Sequence, residues 1–183
     1  MTAQSVVWQP EVILRSVPVV RQSGSREGTF ARVVSGSRKV LREYASFSES
    51  LIPEGERFLL AGQTVSCSHP LKMPFSRRDI MLAAKFRLAE IQAFGKSCTY
   101  SLKPKGAGWP EPEVIGRKYD EIRNARDFGV MIAAIKYSPD FLLNSVDPET
   151  DIFRIRQDLA CQKLAKELEL SYQKIPYAVS SQY

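Results

Sequence analysis

The residues whose types could support catalysis are few and widely spaced. The chain has three cysteines, Cys67, Cys98 and Cys161, and a single histidine, His69. Cys98 and His69 would form a nucleophile–base pair only if the imidazole contacted the thiol and a third group oriented it. His69 precedes a proline in an extended segment, which is typical of a surface position. The sequence therefore does not favour a thiol enzyme, and we expect no enzymatic activity.

Acidic residues alternate at Asp147, Glu149 and Asp151, superficially as in a calcium-binding loop. Such a loop also needs a central glycine for its turn and a distant glutamate to complete the coordination, and both are missing. Asp147 followed by Pro148 is instead typical of a helix start, where carboxylates interact favourably with the helix dipole. The sequence predicts no metal site here and no cofactor.

A glycine pair, Gly106 and Gly108, precedes a predicted helix and could in principle present backbone amides to a phosphate. The third glycine of a dinucleotide motif and the Gly-Lys-Ser/Thr ending of a P-loop are both absent. Pro110 and Pro112 also lack the N–H groups that such a cradle requires. We therefore do not interpret this segment as a nucleotide-binding loop.

Contact with a polyanion is the chemistry that this region favours most. Lysines alternate with aromatic residues there, so cations could contact phosphates while rings stack on bases. Two arginines begin the preceding predicted helix, and a lysine follows on it. The alternative is a solvated loop whose tryptophan packs into the core. The candidate nucleic-acid-binding residues are Arg77, Arg78, Lys85, Lys96, Tyr100, Lys103, Lys105 and Trp109.

The charge distribution supports an anionic partner for the first part of the chain. The net charge is +6, and residues 1–110 hold 16 Lys/Arg against 8 Asp/Glu, whereas residues 111–183 hold 10 against 12. A basic excess of this kind attracts a phosphate backbone or an acidic protein surface, or serves solubility alone. A second basic series lies near the N-terminus: Arg21, Arg26, Arg32, Arg38, Lys39 and Arg42.

Composition limits the class and the compartment. Hydrophobic residues make up 44% and charged residues 25% of the 183, as in ordinary globular proteins. No apolar run approaches the roughly 20 residues that a bilayer requires, and the N-terminus lacks a signal-peptide pattern. The three cysteines are odd in number and widely spaced, with no C-x-x-C, which indicates a reducing compartment such as the cytoplasm.

The first part of the chain is predicted to be rich in strands and turns. Residues 5–22 are β-branched and apolar but interrupted by prolines, which favours short strands that lie at a sheet edge or dock as an extended arm. A strand is predicted at 29–34, a helix at 37–51 and either a strand or a hairpin at 57–67. Ser76 and Asp79 form a capping-box pattern, so we predict a helix over 76–94 that ends at Gly95.

The second part is predicted to be mainly helical. One helix should run from Pro112 to about Tyr137 with a bend near Phe128–Gly129, followed by a connector at 140–146. The last helix should run from Asp147 to about Tyr172, and residues 174–183 should be extended. We therefore predict an α+β fold in one domain of 183 residues, with two lobes at 1–95 and 111–183 joined by the connector 96–110.

Two functional hypotheses follow, and both are non-enzymatic. The first is a nucleic-acid-binding subunit of a larger assembly that contacts RNA or DNA through its basic surface. The second is a basic linker or scaffold subunit that joins acidic proteins in a particle such as a capsid or an antenna. Other protein subunits are expected partners under both hypotheses, and insertion into a membrane is not expected.

Overall fold

The computed structural model describes residues 30–37, 39–69 and 71–177, so the predicted strands at 5–22 lie outside the described residues. Two short 3-10 helices, Glu49–Leu51 and Glu54–Leu60, lie between the second and third strands. The strands are β1 Phe30–Val34, β2 Val40–Tyr44, β3 Thr64–Ser68, β4 Glu90–Phe94, β5 Cys98–Pro104 and β6 Leu170–Pro176. The α-helices are α1 Arg77–Lys85, α2 Pro112–Asn124, α3 Arg126–Lys136, α4 Pro139–Asn144 and α5 Pro148–Glu167.

The six strands form one mixed sheet in the order β2-β1-β3-β4-β5-β6. Among the described strands, β3 and β4 pair in parallel because α1 crosses over between them, and all other neighbours are antiparallel. Alternate residues point to one face, which buries Val33, Val65, Ile91 and Leu102 in the core. The predicted α+β class is confirmed, with a mixed sheet in the first half and most helices in the second.

The helix predicted over 37–51 is wrong, because this segment contains strand β2. β1 and β2 form an antiparallel hairpin in which Ala31 lies opposite Tyr44 and Arg32 opposite Glu43. Val40, Leu41 and Tyr44 have a spacing compatible with either a helix or a half-buried strand. Pairing with β1 decides between them, and that pairing cannot be deduced from the segment alone. The strand predicted at 29–34 is confirmed as β1.

The start predicted for α1 is confirmed and its end is wrong. The Ser76 hydroxyl accepts a hydrogen bond from the backbone N–H of Asp79, whose carboxylate accepts one from the N–H of Ser76. The helix ends at Lys85 because Arg87 adopts a left-handed φ of 51°. The Leu88 N–H then donates to the Ala83 carbonyl, as in a Schellman motif. The glycine that usually occupies such a position is absent, so no residue in the sequence marks this helix end. Residues 90–94 form β4.

The segment 96–110, predicted as a connector, contributes a strand of the sheet. β5 lies between β4 and β6 and directs Tyr100 and Leu102 into the core. Gly95 ends β4 at a close approach, where a Cβ would lie 2.7 Å from the Tyr100 ring and 2.8 Å from the Cys98 carbonyl oxygen. The glycine thus permits the tight β4–β5 turn.

The helical part was predicted more closely. Its first helix is divided at Ala125, which is extended (ψ 136°), rather than near Phe128–Gly129. The stretch 140–146, predicted as a connector, contains α4, whose N-terminus is capped by Ser138. α5 begins as predicted, with the Asp147 carboxylate accepting from the Thr150 N–H. It ends at Glu167 rather than near 172, because β6 follows and pairs with β5.

Polar contacts attach β6 to α5 on the helix-covered face of the sheet. The Tyr172 hydroxyl donates to the Asp158 carboxylate at 2.7 Å, and the Lys174 ammonium forms an ion pair with the same carboxylate. Asp158 itself is buried. Within the part of the chain that the structure describes, no helix is both long enough and apolar enough to cross a membrane.

Candidate nucleic-acid interface and exposed apolar surface

Four of the eight predicted residues line one cleft. Arg77, Arg78 and Lys85 on α1 face Trp109 and the segment leading into α2, across an open cleft of about 590 Å³. The capped start of α1 positions the two arginines. Lys85 lies seven residues after Arg78, which is two turns further along the helix. The prediction that these side chains act together is therefore compatible with their placement.

Arg77 is engaged within the protein. Its Nε atom lies 3.1 Å from the Asp120 carboxylate and donates to the Gly116 carbonyl at 3.3 Å, so the guanidinium rests on α2. A Cβ at Gly116 would lie 2.6 Å from an Arg77 nitrogen, so the glycine makes this contact possible. These contacts join α1 to α2, and phosphate contact by Arg77 would have to compete with them.

The other cations of the cleft differ in how far they are paired. The Lys85 ammonium donates to Glu49 at 2.7 Å, and this hydrogen bond lowers the pKa of the Glu49 carboxyl. Arg78 donates to the Ser48 hydroxyl at 3.0 Å. Arg87 also lines the cleft, and among the described residues its guanidinium has no carboxylate partner. The sequence analysis missed Arg87 because it predicted an uninterrupted helix through that position.

Carboxylates offset much of the positive charge in this cleft. Glu49, Glu111 and Glu113 line it together with the four cations, so its lining has a net charge of +1. A phosphate backbone would be attracted by Arg78 and Arg87 and repelled by Glu111 and Glu113. The cleft is thus a weaker polyanion site than its cations suggest on their own.

The two aromatic residues are not equally available for stacking. Tyr100 is only 6% exposed, and its ring stacks on Tyr172 with centroids 6.3 Å apart. The base-stacking role predicted for Tyr100 does not fit this arrangement. Trp109 is half-buried, packs against the core and donates its indole N–H to the Leu88 carbonyl at 2.6 Å. Its ring packs against the core and also lines the cleft, and base stacking by Trp109 stays a prediction.

The remaining three lysines are exposed but separated. Lys96 lies in the β4–β5 turn, while Lys103 and Lys105 lie at and beyond the opposite end of β5. At about 3.3 Å per residue, the seven-residue strand keeps the two ends roughly 20 Å apart. None of these lysines lines the cleft of Arg78 and Arg87. The eight predicted residues therefore do not form one continuous surface.

The second face of the sheet carries a polar row that sequence analysis missed. The residues in register, one from each strand, are Glu43, Arg32, Ser66, Gln92, Ser101 and Gln173. Ser66 donates to the Gln92 side-chain carbonyl at 3.0 Å, and Ser101 donates to Glu90 at 2.6 Å. Arg32, predicted as part of the second basic series, is buried and forms an ion pair with Glu43. Alternating polar residues along the strands were the available signal.

The thiol groups are arranged unfavourably for nucleophilic catalysis. Burial raises the pKa of Cys67, Cys98 and Cys161, which disfavours the reactive thiolate. His69 approaches Cys67 rather than Cys98: its Nε2 lies 3.8 Å from the Cys67 sulfur and 3.4 Å from the Asp79 carboxylate. The same nitrogen makes both contacts, so the ring does not bridge a nucleophile and an orienting acid.

The acidic residues at the start of α5 have structural partners. Asp147 caps the helix, and Asp151 accepts hydrogen bonds from the Ser145 hydroxyl and the Arg154 guanidinium, which lower its pKa. Among the residues that the structure describes, no group of three or more His, Cys, Asp or Glu side chains could hold a metal ion.

An exposed apolar surface lies on α3, α4 and the turn after them. We define the α3–α4 surface as Val130, Tyr137, Leu142, Leu143 and Val146, whose exposure ranges from 61% for Leu142 to 88% for Val146. Residues 128–146 contain only two charged side chains, Lys136 and Asp140. Such a run of exposed apolar side chains is typical of an interaction site. The sequence analysis placed this stretch in a helix and a connector and did not identify its exposure.

No family model matches the chain, and neither the curated proteins nor the solved structures contain a significantly similar protein.

Proposed function

We propose that this protein is a non-enzymatic subunit of a larger assembly that docks to a neighbouring protein through the α3–α4 surface. The observation that carries the proposal is the exposure of five large apolar side chains in a stretch with only two charges. Water contact with these side chains is unfavourable by about 25 cal/mol per Å² of apolar surface, and docking removes it. This proposal corresponds to the scaffold hypothesis.

The raised pKa values of the buried thiols favour a non-enzymatic role over a cysteine enzyme. The basic excess of residues 1–110 adds long-range attraction to an acidic neighbour, so charge steers the encounter and apolar contact holds the complex.

A particle-incorporation assay in the native cells tests the proposal. Tagged wild-type protein is expected to co-sediment with a particle, and Leu143→Asp is expected to remain in the soluble fraction, because a buried carboxylate would be desolvated without a partner. Phe58→Asp is the matched control, since Phe58 is 73% exposed but lies in the 54–60 helix, beside residues of β1 and β2. Equal incorporation of Leu143→Asp and wild type would contradict the proposal.

Binding of a nucleic-acid backbone is the second candidate function. The specific observation in its favour is that Arg78 and Arg87 line one cleft beside Trp109 and have no carboxylate partner among the described residues. We expect a labelled 20-nucleotide single strand to bind at about 50 mM salt and to dissociate as salt rises. Arg78→Glu with Arg87→Glu should weaken this binding more than Lys96→Glu does. Absence of binding to single- and double-stranded DNA and RNA at that salt would exclude the proposal.

A further inference from the structure

We infer that the partner of the α3–α4 surface is a second copy of this chain, packed antiparallel. This inference rests on the proposed function, since it names the occupant of the same surface. The first step concerns the exposed stripe of α3. Val130, Ala133, Ala134 and Tyr137 recur at intervals of three and four residues, which places them on one side of the helix. The alanines at the centre let a second helix approach to about 8 Å.

The second step concerns the charges at the ends of this stripe. Arg126 lies four residues before Val130 at the start of α3, and Asp140 lies just beyond its end, in α4. Both side chains are exposed, and among the described residues neither forms an ion pair. Two copies placed antiparallel about Ala133 bring each Arg126 towards the other copy's Asp140. A parallel arrangement would oppose like charges, which is unfavourable.

The third step concerns area. Each of the five large side chains exposes roughly 100 Å² of apolar surface. Together they supply about 500 Å². A stable interface needs about 800 Å² per partner, and the neighbouring exposed alanines and Gly129 enlarge the apolar area towards that value. A two-fold axis uses the same patch twice, so no second complementary surface is required.

A lipid surface fits these observations less well. Helices that lie on a membrane combine an apolar face with a polar face rich in Lys and Arg. In residues 128–146 the one cation is Lys136, and its ammonium is 3.1 Å from the Glu149 carboxylate. The stretch thus offers little attraction to anionic headgroups, whereas the opposite charges at its two ends match a second copy.

Sedimentation equilibrium of the purified full-length chain at about 10 to 200 μM tests the inference. We expect a monomer–dimer equilibrium, with Leu143→Asp monomeric throughout the range and Phe58→Asp associating as wild type does. Arg126→Glu and Asp140→Arg should each weaken dimerisation about tenfold by turning an attraction into a repulsion. The double variant with both changes should recover to within about threefold of wild type.

If each substitution only damaged the fold, the two losses of dimer affinity would add in the double variant. Recovery in the charge-swapped variant therefore shows that Arg126 and Asp140 pair. A monomeric wild-type chain at about 200 μM, or a double variant weaker than either single one, would overturn the inference. If the chain is monomeric while particle incorporation still depends on Leu143, self-pairing is refuted and the proposed docking to another protein stands. If incorporation is also insensitive to Leu143, both fail.

Discussion

Two helical regions, α5 and the α3–α4 surface, differ in where their apolar side chains find partners. α5 buries Ile152, Leu164 and Ala165 against the core, and its polar residue Asp158 bonds to β6. The α3–α4 surface leaves Val130 and Leu143 in solvent, although the ion pairs Asp127–Lys163 and Lys136–Glu149 attach α3 itself to α5. α5 is therefore an internal element, and the α3–α4 surface is suited to an external partner.

The largest expected contrast comes from truncating one leucine in each region. Leu164→Ala should lower the free energy of unfolding by about 3 kcal/mol, because Leu164 is fully buried and truncation leaves a cavity. Leu143→Ala should change it by no more than about 0.5 kcal/mol, because the side chain is 83% exposed. Denaturation with urea measures both. Similar losses in the two variants would remove the distinction between the regions.

The attachment of β6 to α5 should contribute the next largest effect. Asp158→Asn weakens the bonds to Tyr172 and Lys174, and we expect about 2 kcal/mol of lost stability, since the carboxylate is buried and charge-assisted bonds are strong. Glu54→Gln, at an exposed position with no ion pair among the described residues, is the control and should be nearly neutral. A double-mutant cycle with Tyr172→Phe measures the coupling, and an absent coupling would contradict the attachment.

Alkaline pH should destabilise the fold at Tyr119, a buried tyrosine that lies where α2 contacts α5. Burial raises the pKa of Tyr119, whose hydroxyl contacts the Gln157 amide, from 10 to about 12. The neutral phenol is favoured in the folded state, so its contribution is fully present below pH 10 and is lost as pH rises through about 12. As the pH rises above 10, the free energy of unfolding of Tyr119→Phe should fall less steeply than that of the wild type. The two slopes should differ by up to about 1.4 kcal/mol per pH unit. Equal slopes would contradict this.

The smallest expected effect on folding comes from polar substitution on the α3–α4 surface. Tyr137→Ser and Val146→Ser should leave the Tm nearly unchanged, because Tyr137 is 72% exposed and Val146 is 88% exposed. Their effect should appear instead as weaker association in sedimentation experiments. A large fall in Tm would show that these side chains support the fold itself.

Local signals in the sequence were sufficient where the structure depends on neighbouring residues. The Ser76–Asp79 capping box and the Asp147 cap were both predicted, because each is completed within three residues along the chain. Convergence of Arg77, Arg78 and Lys85 follows from their spacing on one helix. The carboxylates that pair with Arg77 and Lys85 could not be predicted, because Asp120 and Glu49 come from other elements.

Non-local pairing decided the elements that the sequence left ambiguous. β2 was predicted as helix, β5 as connector, and β6 as a helix end followed by an extended tail. These predictions missed the strands because strand pairing depends on partners that are distant in sequence, such as Leu102 with Tyr172. That pairing also buries Tyr100, which appeared suitable for base stacking from its neighbours alone. The positive φ of Arg87 ended α1 without the glycine that usually marks such a position.

The sequence by itself determined the helix caps, the α+β composition and the basic excess of the first part, because these depend on residue type and short spacing. The tertiary structure decided which side chains remain available. It paired Arg77 and Lys85 of α1 with carboxylates, buried the three thiols, and left Leu143 and its neighbours exposed. Exposure depends on what packs against a residue, and in this fold the apolar face of α5 is covered while the α3–α4 surface is not.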